Sequence, residues 1–486
     1  MNRDAFFTAA ALAALLMGCG EDMGTDAGGG DDAGGVDAGM MMGVDAGGTD
    51  AARPDAGPSG CTGSGCEFVE LDLGILHSCG RRENGEVLCW GYNQDSQLGD
   101  NRSRHEECAM PGSTPSDCAG TPVNVRYDNG GGFPIIDDAT SLAVDGFSSS
   151  CALRGGAMWC WSNETVPEVA GGVARERETA RLDNDLTDIV SASVTGSHAC
   201  VIQGSGGRVL CVGDNVVGQL GNGMISEQIV DYAPVLLDAM ATPPVELTGA
   251  LQVTVSPGSF TCARTADHVY CWGYDNSSQM GDGNETTRTC MLSATDMPDC
   301  APDVRTVGGT TTPLGQVSDI AVGSAHVCAV VSAPGTPGPV MCWGDNRTGQ
   351  AGQADPATTQ AVDLPAAVPG LTDIIQVAGG SRTSYALHAD GTISAWGFND
   401  RGQLGDGVMD HGTNCTSGDS NGDCSVAPVT VATIDDATFI AANSVHACAI
   451  RANGSVWCWG LNDNRQLGDG TRDTRFTPVM VLDTAP

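Results

Sequence analysis

The chain contains 486 residues, and its 22 Lys and Arg stand against 60 Asp and Glu, which gives a formal net charge of -38 at pH 7. A surface this anionic repels the phosphate backbone of nucleic acids, so the composition argues against a nucleic-acid partner. The 68 glycines and the short apolar runs between turn residues indicate a mainly β structure.

The N-terminus has the features of an export sequence. An apolar run from Ala5 to Leu16 is too short to span a bilayer. It leads into Leu16-Met17-Gly18-Cys19, which resembles the cleavage motif of bacterial lipoproteins. We therefore expect residues 1–18 to be a lipoprotein signal peptide and Cys19 to be lipidated. This predicts an extracytoplasmic bacterial protein at the outer membrane or cell surface that contacts the membrane through its anchor only. An ordinary secretory signal is the alternative.

Residues 19–65 consist mainly of Gly, Asp, Ala and Met and contain no aromatic side chain. Such a segment cannot bury enough apolar surface to offset the entropy of ordering, so we predict a disordered tether. Calcium binding is the alternative for the Asp-Ala-Gly triplets, which begin at Asp26, Asp32, Asp37, Asp45 and Asp55.

From Cys66 onward, one pattern returns seven times. Each unit has a short strand, a tight turn such as Asn84-Gly85, a strand ending in Cys-Trp-Gly, and a Gln-Leu-Gly-Asp-Gly turn. A strand upstream and a Pro-Val segment downstream bring the count to four strands per unit. We therefore predict that residues 66–486 form an all-β, seven-bladed β-propeller of four-stranded antiparallel blades.

The pattern W-G-x-N-x-x-x-Q-L-G-D-G resembles the repeat of the regulator of chromosome condensation family over residues 67–482. Blade 2 departs from it, because Ser162 replaces Gly and the Gln-Leu-Gly stretch is missing. Blade 3 departs where Val212 replaces Trp. The resemblance implies a closed disc that serves as an interaction platform.

Apart from Cys19, the chain has 20 cysteines. Six pairs occupy equivalent positions in the repeats, where opposed residues of antiparallel strands can lie about 5.5 Å apart at Cα. Blade 6 has Tyr385 and Ala395 instead, so both partners are absent together. The six pairs are Cys79 with Cys89, Cys151 with Cys160, Cys200 with Cys211, Cys262 with Cys271, Cys328 with Cys342, and Cys448 with Cys458.

Four further pairs lie close in sequence, and the last three of them fall in insertions: Cys61 with Cys66, Cys108 with Cys118, Cys290 with Cys300, and Cys415 with Cys424. Ten disulfides predict an oxidising compartment. The spacing within the repeats does not match the Cys-x₂₋₄-Cys doublets of zinc sites, so zinc is disfavoured.

Three sets of residues are candidates for function. The histidines two positions before a repeat cysteine could form a metal ring, but we favour hydrogen bonds to backbone within each blade. The repeated tryptophans could be an exposed aromatic ring, but we favour packing between blades. Asp419-Ser420-Asn421-Gly422-Asp423 resembles a calcium loop, but we favour a polar turn. The first two sets are His77, His198, His326 and His446, and Trp90, Trp161, Trp272, Trp343, Trp396 and Trp459.

We find no catalytic motif, metal site or cofactor site in the sequence. The function predicted is a monomeric, non-catalytic binding module that captures a protein or glycan through insertions 101–121, 284–303 and 408–427. The alternative is a polysaccharide hydrolase or lyase with its site at the central channel. Nucleotide exchange on a small GTPase is disfavoured by the predicted compartment and the acidity.

Overall fold

The computed structural model describes residues 65–483 except 103–104, 109–115, 130–131, 146–148, 163–180, 183–185, 284–287, 291–298, 310–312, 354–355, 357 and 418–419. Most of these residues form seven antiparallel sheets of four or five strands in chain order, and the innermost strands of successive sheets contact one another around a closed ring. The predicted seven-bladed all-β propeller is confirmed. Cys19, Cys61, the signal peptide and the Asp-Ala-Gly triplets lie outside the described residues.

Each blade contributes an innermost, a second, a third and an outermost strand. In blades 1 to 3 these are Phe68–Leu73, His77–Arg82, Val87–Tyr92 and Asp117–Asn124; Ser141–Asp145, Ser149–Arg154, Ala157–Trp161 and Arg181–Leu182; and Ile189–Val194, His198–Gln203, Arg208–Asn215 and Ser226–Pro234. A small hairpin, Leu236–Asp238 with Val245–Glu246, follows blade 3.

In blades 4 to 7 the strands are Gln252–Ser256, Phe260–Arg264, Val269–Tyr274 and Asp299–Thr306; Asp319–Val322, His326–Val330, Val340–Asp345 and Ala361–Ala367; Ile374–Gly379, Thr383–His388, Ile393–Phe398 and Ser420–Thr430; and Ala437–Asn443, His446–Arg451, Val456–Gly460 and Arg475–Met480. Blades 1, 4 and 6 add a fifth short strand from their insertions, at Glu106–Glu107, Arg288–Thr289 and Asn414–Ser417.

The tight turn between the second and third strands of blade 1 needs glycine. Gly85 has a φ of 87°, and a Cβ there would lie 2.8 Å from the carbonyl oxygen of Asp137. The Asn-Gly sequence supplies this conformation without strain.

Nine of the predicted cysteine pairs are disulfide-bonded in the structure, and Cys66 is also in a disulfide. Six of the nine join the second and third strands of one blade: Cys79 to Cys89, Cys151 to Cys160, Cys200 to Cys211, Cys262 to Cys271, Cys328 to Cys342, and Cys448 to Cys458. The other three lie in the insertions: Cys108 to Cys118, Cys290 to Cys300, and Cys415 to Cys424.

The geometry of the repeat disulfides corrects the expected Cα separation. The six pairs join directly opposed residues whose Cα atoms are 4.0 to 4.2 Å apart. This is closer than the expected 5.5 Å, because the cysteines occupy non-hydrogen-bonded positions of the ladder. In blade 4, for example, Tyr274 N–H donates to Ser259 C=O, so these opposed residues are a hydrogen-bonded pair. Hydrogen-bonded and non-hydrogen-bonded pairs alternate along the ladder, which makes Cys262 and Cys271 a non-hydrogen-bonded pair.

The two faces of the disc differ. Because the strands are antiparallel, the turn between the first two strands and the connection between the last two lie at the same end of each blade. We call this end the insertion face. The chain enters on the opposite face, where Asn84 N–H donates to the Gly65 carbonyl at 3.1 Å in the turn between second and third strands.

The ring closes without a shared strand. Every strand of blade 1 comes from the first part of the propeller and every strand of blade 7 from the last, and the two innermost strands contact each other directly. No described residue belongs to a helix of the length and apolar character that crossing a membrane requires.

Candidate functional site

The repeated tryptophans pack between blades, as expected. Each of the six is at most 2% exposed, and its indole N–H donates to a glutamine backbone carbonyl of the preceding blade at 2.7 to 2.9 Å. The pairs are Trp90–Gln466, Trp161–Gln97, Trp272–Gln219, Trp343–Gln279, Trp396–Gln350 and Trp459–Gln403.

The repeated histidines also join blades, so the expected hydrogen bond to backbone within each blade is wrong. The partner is a hydroxyl of the next blade, 2.8 to 3.0 Å from the imidazole Nε2. The sequence pattern did not reveal this partner, because the two residues belong to different blades and meet only when the blades pack into the ring. The pairs are His77–Ser150, His198–Thr261, His326–Ser384 and His446–Ser78.

At three interfaces these contacts form one continuous chain. The hydroxyl of Ser78, Thr261 or Ser384 donates to the same glutamine carbonyl that the indole contacts, at 2.8 to 3.0 Å. Since the hydroxyl proton is used there, the imidazole must donate from Nε2. We call this arrangement of His, hydroxyl, Gln carbonyl and Trp the interblade latch.

The histidine and its hydroxyl partner occur together or not at all. The three blades without the histidine are each followed by a blade without the hydroxyl, and the pairs there are Ser149–Ala199, Phe260–Val327 and Thr383–Ala447. At the last interface, the Tyr385 hydroxyl donates to the Gln403 carbonyl at 2.7 Å and fills the missing role. Tyr385 thus occupies a cysteine position and donates to the same carbonyl as the Trp459 indole, without a histidine.

The four histidines that join blades, which we call the latch histidines, are neutral in the folded state at neutral pH. Burial lowers the pKa of His77, His198 and His446 to about 3. Burial also lowers the pKa of His326, to about 4, although the charge of Asp345 opposes the change. A charged imidazole would lose its hydration here without an ion pair to replace it.

The interface between blades 2 and 3 lacks the latch. Val212 stands in the Trp position and Ala199 in the hydroxyl position, and both are fully buried. No indole or imidazole hydrogen bond crosses this interface among the described residues, and apolar contacts around Leu153, Met158 and Leu210 hold it.

A cavity on the propeller axis opens toward the insertion face. All seven innermost strands or the turns after them line it, mostly with small or apolar residues. Among the described residues that line it, the carboxylate is Asp72, which accepts N–H groups of Leu73 at 3.0 Å and Val144 at 2.7 Å. A glycosidase site at the channel needs two facing carboxylates, and the described part of the lining contains this one.

The three disulfide insertions are equivalent segments. The ladder registers place Ala119, Ala301 and Ser425 opposite Gly91, Gly273 and Gly397, as Arg475 lies opposite Gly460 in blade 7. The inserted segments are therefore 102–118, 284–300 and 408–424, each 17 residues long, where blade 7 has the four residues 471–474. In each, the bonded Cα atoms are 5.9 to 6.0 Å apart.

Two of these insertions contain a charged clasp that the sequence analysis missed. His105 contacts Asp100 and Asp117, both at 2.9 Å. His411 contacts Asp406 at 2.9 Å and Asp423 at 2.6 Å. The signal was present in the sequence, because both sets have the same spacing.

The clasp carboxylates favour the cationic form of their histidines, unlike the surroundings of the latch histidines. Burial opposes the charge of His105, but hydrogen bonds and the charges of Asp100 and Asp117 outweigh it and raise the pKa to about 9. The pKa of His411 is raised against burial in the same way. The clasp also engages Asp423 of the calcium-like sequence, while Asp419 lies outside the described residues.

Within the ranges that the structure describes, no three His, Cys, Asp or Glu side chains come together as metal ligands. The repeated polar residues are thus used in holding the ring. The three insertions contain none of the repeated Trp, His and Gln residues.

These features define a repeat propeller that is held by interblade hydrogen bonds and carries its variable segments on one face. The sequence model of the RCC1-like domain matches residues 33–485, and the chain belongs to that family.

Among curated proteins, the chain is 23% identical to protein pim1 of Schizosaccharomyces pombe over 70% of this chain and 61% of pim1. It is 27% identical to the ultraviolet-B receptor UVR8 of Arabidopsis thaliana over 85% of this chain and 81% of UVR8. It therefore spans less than two thirds of pim1.

Two solved structures share the fold. Human WBSCR16 superposes with a TM-score of 0.60 at 16% identity, covering 82% of this chain and 94% of that one. Prp20p of Saccharomyces cerevisiae superposes with a TM-score of 0.59 at 18% identity, covering 85% and 87%.

Proposed function

We propose that the protein is an envelope-tethered binding module that captures a protein partner through its insertion face. The observation that carries this proposal is the division between repeated and inserted residues. The repeated Trp, His and Gln are buried in contacts between blades, whereas three 17-residue insertions on one face each have their own disulfide. Rigid scaffolds that present variable loops are suited to recognition.

The position of the chain entry supports this orientation. Gly65 lies on the face opposite the insertions, so a tether that begins at a lipidated Cys19 attaches there. The insertion face then points away from the membrane. Lipid anchoring of Cys19 is part of the proposal.

The relatives are compatible with a protein partner. One structure of Prp20p is described by its binding to Gsp1p and histones, and another has Kap60 bound. Those partners belong to Prp20p. For the present chain we retain only the expectation that a propeller face binds a protein.

The test replaces each insertion in turn by Thr471–Thr474 of blade 7, which connects the same strands without an insertion. The full chain and each variant are expressed in the native envelope, cross-linked, and examined for a partner captured by the unaltered protein. We expect at least one replacement to abolish capture while thermal unfolding of the disc is unchanged. Capture by all three variants at the level of the unaltered protein would refute the proposal.

A matched control separates the loop from its cross-link. Cys415→Ser with Cys424→Ser removes one disulfide but keeps every other side chain of the blade 6 insertion. The clasp of His411 with Asp406 and Asp423 should hold that insertion, so capture should fall less than in the replacement variant.

A further inference from the structure

The cavity on the propeller axis has one charged position in a ring of small residues. Asp72 lies opposite Cys79 in the ladder of blade 1. In the other six blades, the residue opposite the equivalent cysteine, or opposite Tyr385 in blade 6, is alanine, serine or threonine. These residues are Ala143, Ser193, Thr254, Ala321, Ala378 and Ala441. Asp72 is therefore the exception to a pattern of small, uncharged side chains around the axis.

The contact that Asp72 makes with the next blade does not require a charge. Its carboxylate accepts Val144 N–H of blade 2 at 2.7 Å. At the equivalent position of blade 3, the Ser193 hydroxyl accepts Val255 N–H of blade 4 at 3.0 Å. Since a neutral hydroxyl makes the same contact between blades, that contact alone does not explain an acidic residue in blade 1.

The lining of the cavity suits a cationic group. Among the described residues that line it, Asp72 is the only charged one, and none is Arg, Lys or His. The hydroxyl-bearing residues Ser193, Thr254, Ser324 and Ser381 also line it, and hydroxyl oxygens accept hydrogen bonds from N–H donors. A cation that enters a cavity loses hydration, and a carboxylate with further oxygen acceptors compensates for this loss.

The volume of the cavity selects the size of the ligand. It is about 110 Å³. A buried cavity of about 150 Å³ holds one benzene molecule, whereas pockets for drug-sized ligands have about 300–1,000 Å³. The space therefore fits the end of one side chain and is too small for an oligosaccharide. Calcium fits poorly, because it takes about six to eight oxygen ligands at fixed distances.

We propose that the axial cavity receives one cationic side chain of a protein partner, the guanidinium of an arginine or the ammonium of a lysine, with Asp72 as its counter-charge. That the side chain belongs to a captured partner rests on the proposed function, because the cavity opens toward the insertion face. Arginine is among the residues that contribute most to protein interfaces when it fills a desolvated pocket near their centre. The net charge of -38 attracts a basic partner from a distance, and Asp72 determines where its cation binds.

The test uses three small probes and the full chain without a partner. n-Butylguanidinium and n-butylammonium carry the two cations, and n-butylurea is the uncharged isostere of the first. Saturation-transfer NMR titrations in EDTA at low ionic strength give the dissociation constant of each probe. We expect at least one cation to bind about tenfold more tightly than butylurea, because hydrogen bonds to a charged acceptor are the stronger ones. Equal binding of all three probes would overturn the proposal.

Two matched variants separate the cavity from the acidic surface, which also attracts cations. Asp72→Ser copies the residue of blade 3 and removes the carboxylate from the cavity, so the preference for the cation should disappear. Glu83→Ser removes an exposed carboxylate on the opposite face and should leave the preference unchanged. If Asp72→Ser keeps the preference, or Glu83→Ser loses it, the cations bind elsewhere and the inference is wrong. Thermal unfolding verifies that each variant folds, and Asp72→Asn replaces Asp72→Ser if the latter does not.

Probe binding and partner capture are separate results. No cation preference, together with capture that depends on the insertions, rejects this site and keeps the proposed function. A cation preference that requires Asp72, together with capture that no insertion affects, rejects the proposed function and keeps the site.

Discussion

The interblade latch can be tested as a coupled unit at the interface of blades 5 and 6. Ser384→Ala removes the hydroxyl that accepts from His326 at 2.8 Å and donates to the Gln350 carbonyl at 2.8 Å. His326 is 1% exposed, so its Nε2–H is left buried without an acceptor. We expect a loss of about 1–3 kcal/mol in the free energy of unfolding.

The partner substitution should cost less. His326→Phe removes one donor, but the Ser384 hydroxyl still donates to the Gln350 carbonyl, so we expect a loss of about 1 kcal/mol. In the double variant, His326→Phe with Ser384→Ala, the two changes together leave no polar group newly unpaired. The chain already has an apolar pair at these positions, Phe260 with Val327, at the interface of blades 4 and 5. The double variant should therefore be more stable than the sum of the single losses predicts, by about 1 kcal/mol or more.

The assay is guanidinium unfolding with disulfides intact, followed by tryptophan fluorescence. Installing the latch elsewhere is the matched control. Phe260→His alone should destabilise, because it buries an imidazole without a partner, and Val327→Ser added to it should recover stability. Additive losses at the first interface, within about 0.3–0.5 kcal/mol, would refute the coupling.

Three further outcomes follow from the same contacts. The unfolded chain binds protons at histidine below about pH 6.5, whereas the folded latches stay neutral to about pH 4 or below. The unfolding free energy should therefore fall as the pH falls through this window, by up to about 1.4 kcal/mol per pH unit for each latch histidine. His326→Phe should reduce the slope of the unfolding free energy against pH, measured in guanidinium titrations, by the amount that corresponds to one proton. Val212→Trp should destabilise the protein by about 1–3 kcal/mol in the same assay, because it overpacks a buried site. A gain in stability would mean that the new indole N–H finds an acceptor in blade 2. His105→Gln should raise amide exchange in Asp117–Asn124 about tenfold or more, because it removes the cation that Asp100 and Asp117 share and leaves Asp100 only the exposed Arg102 at 3.6 Å. Unchanged exchange would contradict the clasp.

Features that repeat within a single blade could be predicted from the sequence. The hairpin turns, the pairing of cysteines and the buried tryptophans each depend on spacing inside one unit. The double absence at Tyr385 and Ala395 supported the cysteine pairing because a lost partner is visible in the same hairpin. Even for the cysteine pairs, the Cα separation was not predicted correctly, because it depends on whether the pair occupies a hydrogen-bonded or a non-hydrogen-bonded position of the ladder.

Features that join different blades were harder to predict. The histidine partner lies in the next unit, so a blade considered alone offers only its own backbone. Aligning the seven units would have revealed that His and the following hydroxyl appear together. The clasp was missed for a similar reason, since the equal spacing in the insertions of blades 1 and 6 becomes visible only when they are compared.

The interface that closes the ring differs from the others in how it is held. Blades 2 and 3 are consecutive in the chain, so the connecting segment keeps them close even without a latch. Blades 7 and 1 are the ends of the propeller and share no strand, so only non-covalent contacts keep them together. That interface has the complete latch of His446, Ser78, Gln466 and Trp90, and a buried ion pair between Arg82 and Asp483. The interfaces of blades 3 with 4 and 5 with 6 have the same latch between consecutive blades. The ion pair of Arg82 with Asp483 is therefore what the closing interface adds, at the place where chain connectivity contributes nothing.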